Sequence, residues 1–118
     1  MIELEDRIVS FAARCIKVCG ALPMKVVGSA SLADQMFRSS TSIAANYAEA
    51  CEAESARDFI HKLKVAMKEL SETRIWLRII GEAGYVESAE LGDLIGESRE
   101  LSRILSASVT TTRKKLGG

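Results

Sequence analysis

The chain has 118 residues, of which 47% are hydrophobic and 27% charged, and its sixteen basic and sixteen acidic side chains cancel. That length holds one domain with one core, burying roughly two-thirds of the unfolded surface, and the cancelled charge excludes a global field drawing the molecule to nucleic acid or membrane. One proline and eight glycines offer too few turn-formers for a β-sandwich of this size.

Four helical stripes follow in order. Leu4, Ile8, Phe11, Ala12, Cys15, Cys19 and Leu22 recur at three- and four-residue steps and form one face of a first helix over 3–22, closed by Gly20 and Pro23. After a connector from Met24 to Ala30, Ser31 reads as the N-cap of a second helix over 31–53. Its apolar stripe is Leu32, Met36, Ile43, Tyr47 and Cys51, and its alanines admit a close neighbour. Ser55, with Asp58 three residues on, caps a third helix over 56–81, in which Phe59, Leu63, Ala66, Leu70, Leu77 and Ile80 keep the bundle rhythm before Gly81 and Gly84. A fourth begins near Glu87 or Ser88 and runs over 87–114 through Leu91, Leu94, Ile95, Leu101, Leu105 and Val109. Helices of this length joined by short connectors pack as antiparallel neighbours, so the expected fold is all-α, an antiparallel up-down four-helix bundle spanning 1–118. Leu32, Ile43, Phe59, Leu63, Leu70, Leu77, Leu94 and Leu101 are its expected interior.

Charge is unevenly spread beneath the neutral total. Residues 1–55 carry five basic and seven acidic side chains, 56–81 six and three, 82–104 two and six, and the last fourteen residues three and none. The first six residues, Met1-Ile2-Glu3-Leu4-Glu5-Asp6, are acidic where a secretory signal is basic. No apolar run approaches the roughly 20 residues of a membrane span. The odd set Cys15, Cys19 and Cys51 shows no paired spacing. Reduced thiols in a cytoplasm are the expectation.

Helix two carries a second stripe, Gln35, Ser39, Ser42, Asn46 and Glu49, whose short hydrogen-bonding side chains differ from the Lys and Glu of a solvated face. A satisfied buried polar seam fixes register or oligomer state. Arg38 lies one step off it, placed to meet Glu69 or Glu72 across an antiparallel neighbour.

Catalytic and metal chemistry find little footing. A di-iron bundle needs two Glu-x-x-His motifs, whereas His61 is the one histidine and reads as a helix-surface residue. Cys15 and Cys19 lack a second ligand pair and read as small core residues. Ser39-Ser40-Thr41-Ser42 has no partnering base, and no Gly-rich phosphate loop opens a helix. No catalytic residue, metal ligand or cofactor is expected.

The run Leu32-Ala33-Asp34-Gln35-Met36-Phe37-Arg38-Ser39-Ser40-Thr41-Ser42-Ile43-Ala44-Ala45-Asn46-Tyr47-Ala48-Glu49-Ala50 resembles the signature of the bacterial 23S ribosomal RNA intervening-sequence proteins. Asp58-Phe59-Ile60-x-Lys62-Leu63, Ala66-x-Lys68-Glu69-Leu70-x-Glu72-Thr73 and Trp76-Leu77 extend the likeness to about half the chain. Many members carry Gly where Ala50 stands, which implies a slightly longer second helix here. The resemblance implies non-enzymatic antiparallel bundles that assemble into rings, often homopentamers. A related branch, the accessory proteins of diversity-generating retroelements, implies binding of a reverse transcriptase and of RNA or DNA through basic surfaces. The family name describes where some of its genes sit.

The residues suited to such binding are Lys62, Lys64, Lys68, Arg74 and Arg78 on helix three and Arg7, Arg14 and Lys17 on helix one, a set that copies in a ring would multiply. Helix three also bears more apolar groups than one inward stripe can use. Val65, Ile75, Trp76 and Ile79 cannot all face the core, and Trp76 with Ile79 is the expected subunit contact. Two functions fit: a nucleic-acid-binding or ribonucleoprotein accessory subunit, and a protein–protein scaffold.

Overall fold

The computed structural model describes residues 3–117. Four helices, α1 (Leu4–Ala21), α2 (Ser29–Cys51), α3 (Ala56–Glu82) and α4 (Ala89–Lys115), are the only regular elements among them. They form an antiparallel four-helix bundle measuring 53 × 23 × 23 Å. The helices end within about two residues of the sequence expectation, within the scatter usual for helix boundaries.

The caps explain two of those ends. Ser55 accepts from the Asp58 amide at 3.0 Å and Ser88 from the Glu90 amide at 3.1 Å, satisfying donors that the first turns of α3 and α4 leave free. At the end of α3, Gly84 adopts φ 74°, the Tyr85 amide donates to Ile80 O and the Gly84 amide to Gly81 O, which is the Schellman closure. Arg113, Lys114 and Lys115 occupy the last turn of α4, where the helix dipole favours cations.

The start of α2 departs from expectation. Its N-cap is Gly28 at φ 90°, not Ser31, and no side chain caps the helix. Ser29 is instead fully buried, donating through Oγ to Pro23 O at 2.8 Å. Tyr85, from the α3–α4 connector, donates its hydroxyl to Val27 O and lies against Gly28, where an added Cβ would stand 3.0 Å from Oη. The two connectors at this end of the bundle are therefore tied together.

The core runs the length of the bundle through Ile8, Phe11, Cys15, Met36, Ile43, Leu63, Leu70, Leu77, Ile80, Leu94, Leu101 and Leu105. Leu32 and Phe59, expected inside, are only partly buried. Each lies in the first turn of its helix, and Phe59 borders an open cavity of about 420 Å³ with Ile104 and Ala107.

The helices pack unequally. α2 lies most closely on α3, whereas α1 lies broadly on α2 and only lightly on α4. The α1–α4 seam is bridged by Arg7–Glu97 at 2.7 Å and Arg14–Glu90 at 2.5 Å. Openings of about 470 and 460 Å³ lie along it.

Candidate functional site

The polar seam of α2 faces α3 and is graded in burial. Ser39 is fully buried, and its hydroxyl lies 2.7 Å from that of Thr73, which donates to Glu69 O at 2.8 Å. Ser42 and Asn46 are half-buried and bonded to each other, Asn46 Nδ2 donating to Ser42 O at 2.9 Å and to Ser42 Oγ at 3.1 Å. Gln35 and Glu49, at the two ends, are exposed. Glu49 accepts from Lys62 Nζ at 3.1 Å.

Arg38 makes the contact its position suggested. Its Nη1 donates to Glu69 Oε2 at 2.8 Å and its Nη2 to Glu72 Oε1, so one guanidinium spans two carboxylates a turn apart on α3. The hydrogen bonds to Glu69 and Glu72 raise its pKa above the ordinary arginine value. Glu69 is buried, its side chain only 7% exposed, so it depends on that partner. The seam thus holds α2 and α3 in register.

Ion pairing divides the eight basic residues singled out in the sequence. Arg7, Arg14 and Lys62 are engaged by Glu97, Glu90 and Glu49 and hold helices together. Hydrogen bonding to Glu97 and Glu90 raises the pKa of Arg7 and Arg14. Lys17, Lys64, Lys68 and Arg78 are exposed and form no ion pair among the described residues. Arg74 is half-buried at the α3–α4 interface, donating from Nη1 to Ser98 Oγ at 3.2 Å and from Nη2 to Ser71 Oγ at 3.4 Å.

Sequence reading missed Arg99. It lies on α4 against the same interface, close enough to repel Arg74. Antiparallel pairing of α3 with α4 through the Gly81–Gly84 turn would have set Arg99 opposite Arg74 and Arg78, but α4's acidic average obscured it.

Trp76 is half-buried on the flank of α3 that carries Glu69 and Glu72, its Nε1 enclosed without an acceptor. Ile75 and Ile79 point outward, 46% and 41% exposed. Phe37 on α2 is exposed as well. No group of three or more His, Cys, Asp or Glu side chains among the described residues could hold a metal ion, and no described helix is long and apolar enough to cross a membrane.

The molecule is thus a single bundle with a polar α2–α3 seam and a partly unpaired basic surface. The family model described as "23S rRNA-intervening sequence protein" matches residues 3–107. The chain belongs to that family. Among solved structures, a crystal structure of a protein of unknown function from the S23 ribosomal protein family of Bacteroides thetaiotaomicron VPI-5482 is 31% identical. It superposes with a TM-score of 0.82 over 91% of this chain and 98% of its own. No curated protein matches.

Proposed function

We propose that this protein is a non-enzymatic homo-oligomeric bundle that binds RNA or DNA as an accessory subunit in the cytoplasm. The observation that carries the reading is the division of its basic residues. Internal carboxylates neutralise Arg7, Arg14, Lys62, Arg38 and Arg103, and the remainder leaves unpaired cations on α3, where Lys64, Lys68 and Arg78 are exposed. Phosphates bind such cations with release of counterions, and a ring of copies repeats the patch. The ring of five is what the family resemblance implies. A shift assay with structured RNA and with duplex DNA, repeated from about 50 to about 200 mM salt, tests the reading. Binding should weaken steeply as salt rises, and no retardation at low salt sinks it.

The second reading, a protein–protein scaffold without a nucleic-acid role, is favoured by the exposed Ile75 and Ile79 beside Trp76. Aromatic and aliphatic groups together mark interaction surfaces. Co-purification of a stoichiometric protein partner, with no retardation of either nucleic acid, would decide for it.

A further inference from the structure

We infer that the α3–α4 groove bordered by Arg78 and Arg99, with Arg74 beside it at the same helix interface, is an oxyanion site that takes backbone phosphates of a nucleic acid. This deepens the nucleic-acid reading above and rests on it for the identity of the ligand. Three independent features of the groove converge.

The first is uncompensated charge. None of the three arginines has a carboxylate ion-pair partner among the described residues, although six ion pairs form elsewhere. Arg74 is half-buried between the neutral hydroxyls of Ser71 and Ser98, at 3.4 and 3.2 Å. Burial, then repulsion from Arg99 and Arg78, lowers its pKa below the ordinary arginine value, whereas partners raise that of Arg7, Arg14 and Arg38. A partly desolvated cation beside two like charges is unfavourable until an anion arrives.

The second is an unused hydroxyl. Ser102 lies one turn beyond Ser98 on the same face of α4, behind the groove lining. Its enclosed Oγ has no hydrogen-bond partner among the described residues, so it can meet an anion only if its side chain turns outward. Phosphate oxygens accept from both guanidinium and hydroxyl donors.

The third is shape and continuity. Arg78 and Arg99 border an open groove of about 380 Å³ floored by Leu77, Leu91 and Ile95. Glu82 lines its far end, a turn beyond Arg78 and outside every ion pair among the described residues. Exposed Lys64 and Lys68 continue the cationic row along α3, giving about 21 Å from residue 64 to 78. A row of that length suits a polymer with a charge on each unit better than a lone carboxylate. Guanidinium forks suit phosphate oxygens in particular.

The test uses the full-length protein with inorganic pyrophosphate, followed by the Nε–Hε NMR signals of arginine. Signals of Arg74, Arg78 and Arg99 should shift saturably while those of Arg7, Arg14 and Arg38 stay. R78Q/R99Q, which alters only exposed positions and leaves Arg74 in place, should abolish saturation without changing the circular dichroism. Non-saturating or uniform shifts across all arginines overturn the site. So does a poly-glutamate peptide that displaces pyrophosphate at equal charge, since the groove would then be a dock for acidic protein. With single-stranded RNA, R78Q/R99Q should reduce the slope of log affinity against log salt by about 1.4, because each phosphate neutralised on a single strand contributes about 0.7. An unchanged slope with RNA still bound removes the site and spares the nucleic-acid reading. Saturable pyrophosphate shifts in a protein that retards no nucleic acid keep the anion site and remove that reading.

Discussion

Ser39 on α2 and Thr73 on α3 bring their hydroxyl oxygens to 2.7 Å at the fully buried centre of the bundle. Each hydroxyl has one proton, and Thr73 gives its own to Glu69 O at 2.8 Å, so Ser39 donates to Thr73. Ser39's other acceptor, Met36 O, stands farther off at 3.4 Å. The pair is an interhelical bond at a site closed to bulk solvent.

Replacing Thr73 with Val should therefore destabilise the fold by about 1–3 kcal/mol, because it leaves the buried Ser39 hydroxyl with only the long contact to Met36 O. Replacing Ser39 with Ala as well removes the stranded donor, and the double variant should lose less than the sum of the singles. Urea denaturation of the four proteins gives the coupling; strict additivity would mean that the two hydroxyls do not interact.

Leu63 is buried among the largest core side chains, and Leu63→Ala should reduce stability by about 2–5 kcal/mol. A shift in urea midpoint corresponding to less than about 1 kcal/mol would place it outside the core.

Arg38→Met removes the partner of buried Glu69 while leaving Glu72 near water. Half of the Arg38 side chain is exposed, which discounts the full penalty of a broken buried pair to about 1–2 kcal/mol. Adding Glu69→Gln should restore part of that stability, because the carboxylate left behind would be neutralised. A double variant weaker than Arg38→Met alone would mean that Glu69 serves some other partner.

Alkaline pH should weaken the fold. Burial pushes the Cys15 thiol from 9.0 up to about 12. Burial, aided by a hydrogen bond with Cys51, pushes the Tyr47 hydroxyl from 10.0 up to about 12. Above these starting values the unfolded chain releases protons that the folded chain keeps, so stability falls as pH climbs from about 9 to about 12 and is unaffected by these groups at neutrality. Urea midpoints at about pH 7, 9 and 10.5 check the sign. In the folded protein at about pH 8, a thiol reagent should label exposed Cys51 first and Cys15 last.

Ile75→Lys with Ile79→Lys should leave the monomer fold intact, since both side chains already face outward. If these residues form the subunit contact, light scattering should report five chains for the native protein and one for the variant. A native monomer at micromolar concentration would remove the ring, and a native dimer would remove the pentamer while keeping the contact.

The helices were legible because each carries its own apolar period and, for α3, its own serine cap. The beginning of α2 was not, because Ser29 and Ser31 are equivalent as local signals. The choice is made by Pro23 O, which takes the Ser29 hydroxyl, and by Tyr85, which reaches Val27 from 58 positions away. The Arg38 pairing could be anticipated because α2 and α3 are joined by a short turn that fixes their register. The pairing of the basic residues was hidden for a different reason. Sequence spacing placed Arg7 and Arg14 on one side of α1 but could not show that the acidic start of α4 meets them there. The same blindness hid Arg99, whose two arginine neighbours lie on a different helix.

The light α1–α4 seam has a consequence for how the chain comes together and comes apart. The main partner of α1 is α2, the next helix to be synthesised, so the first hairpin can assemble before α4 exists. α4 packs on α3 and meets α1 largely through two partly exposed ion pairs. Salt screens such pairs. Raising it should speed amide hydrogen exchange in α1 sooner than in α2 or α3, making the first helix made also the first to let go.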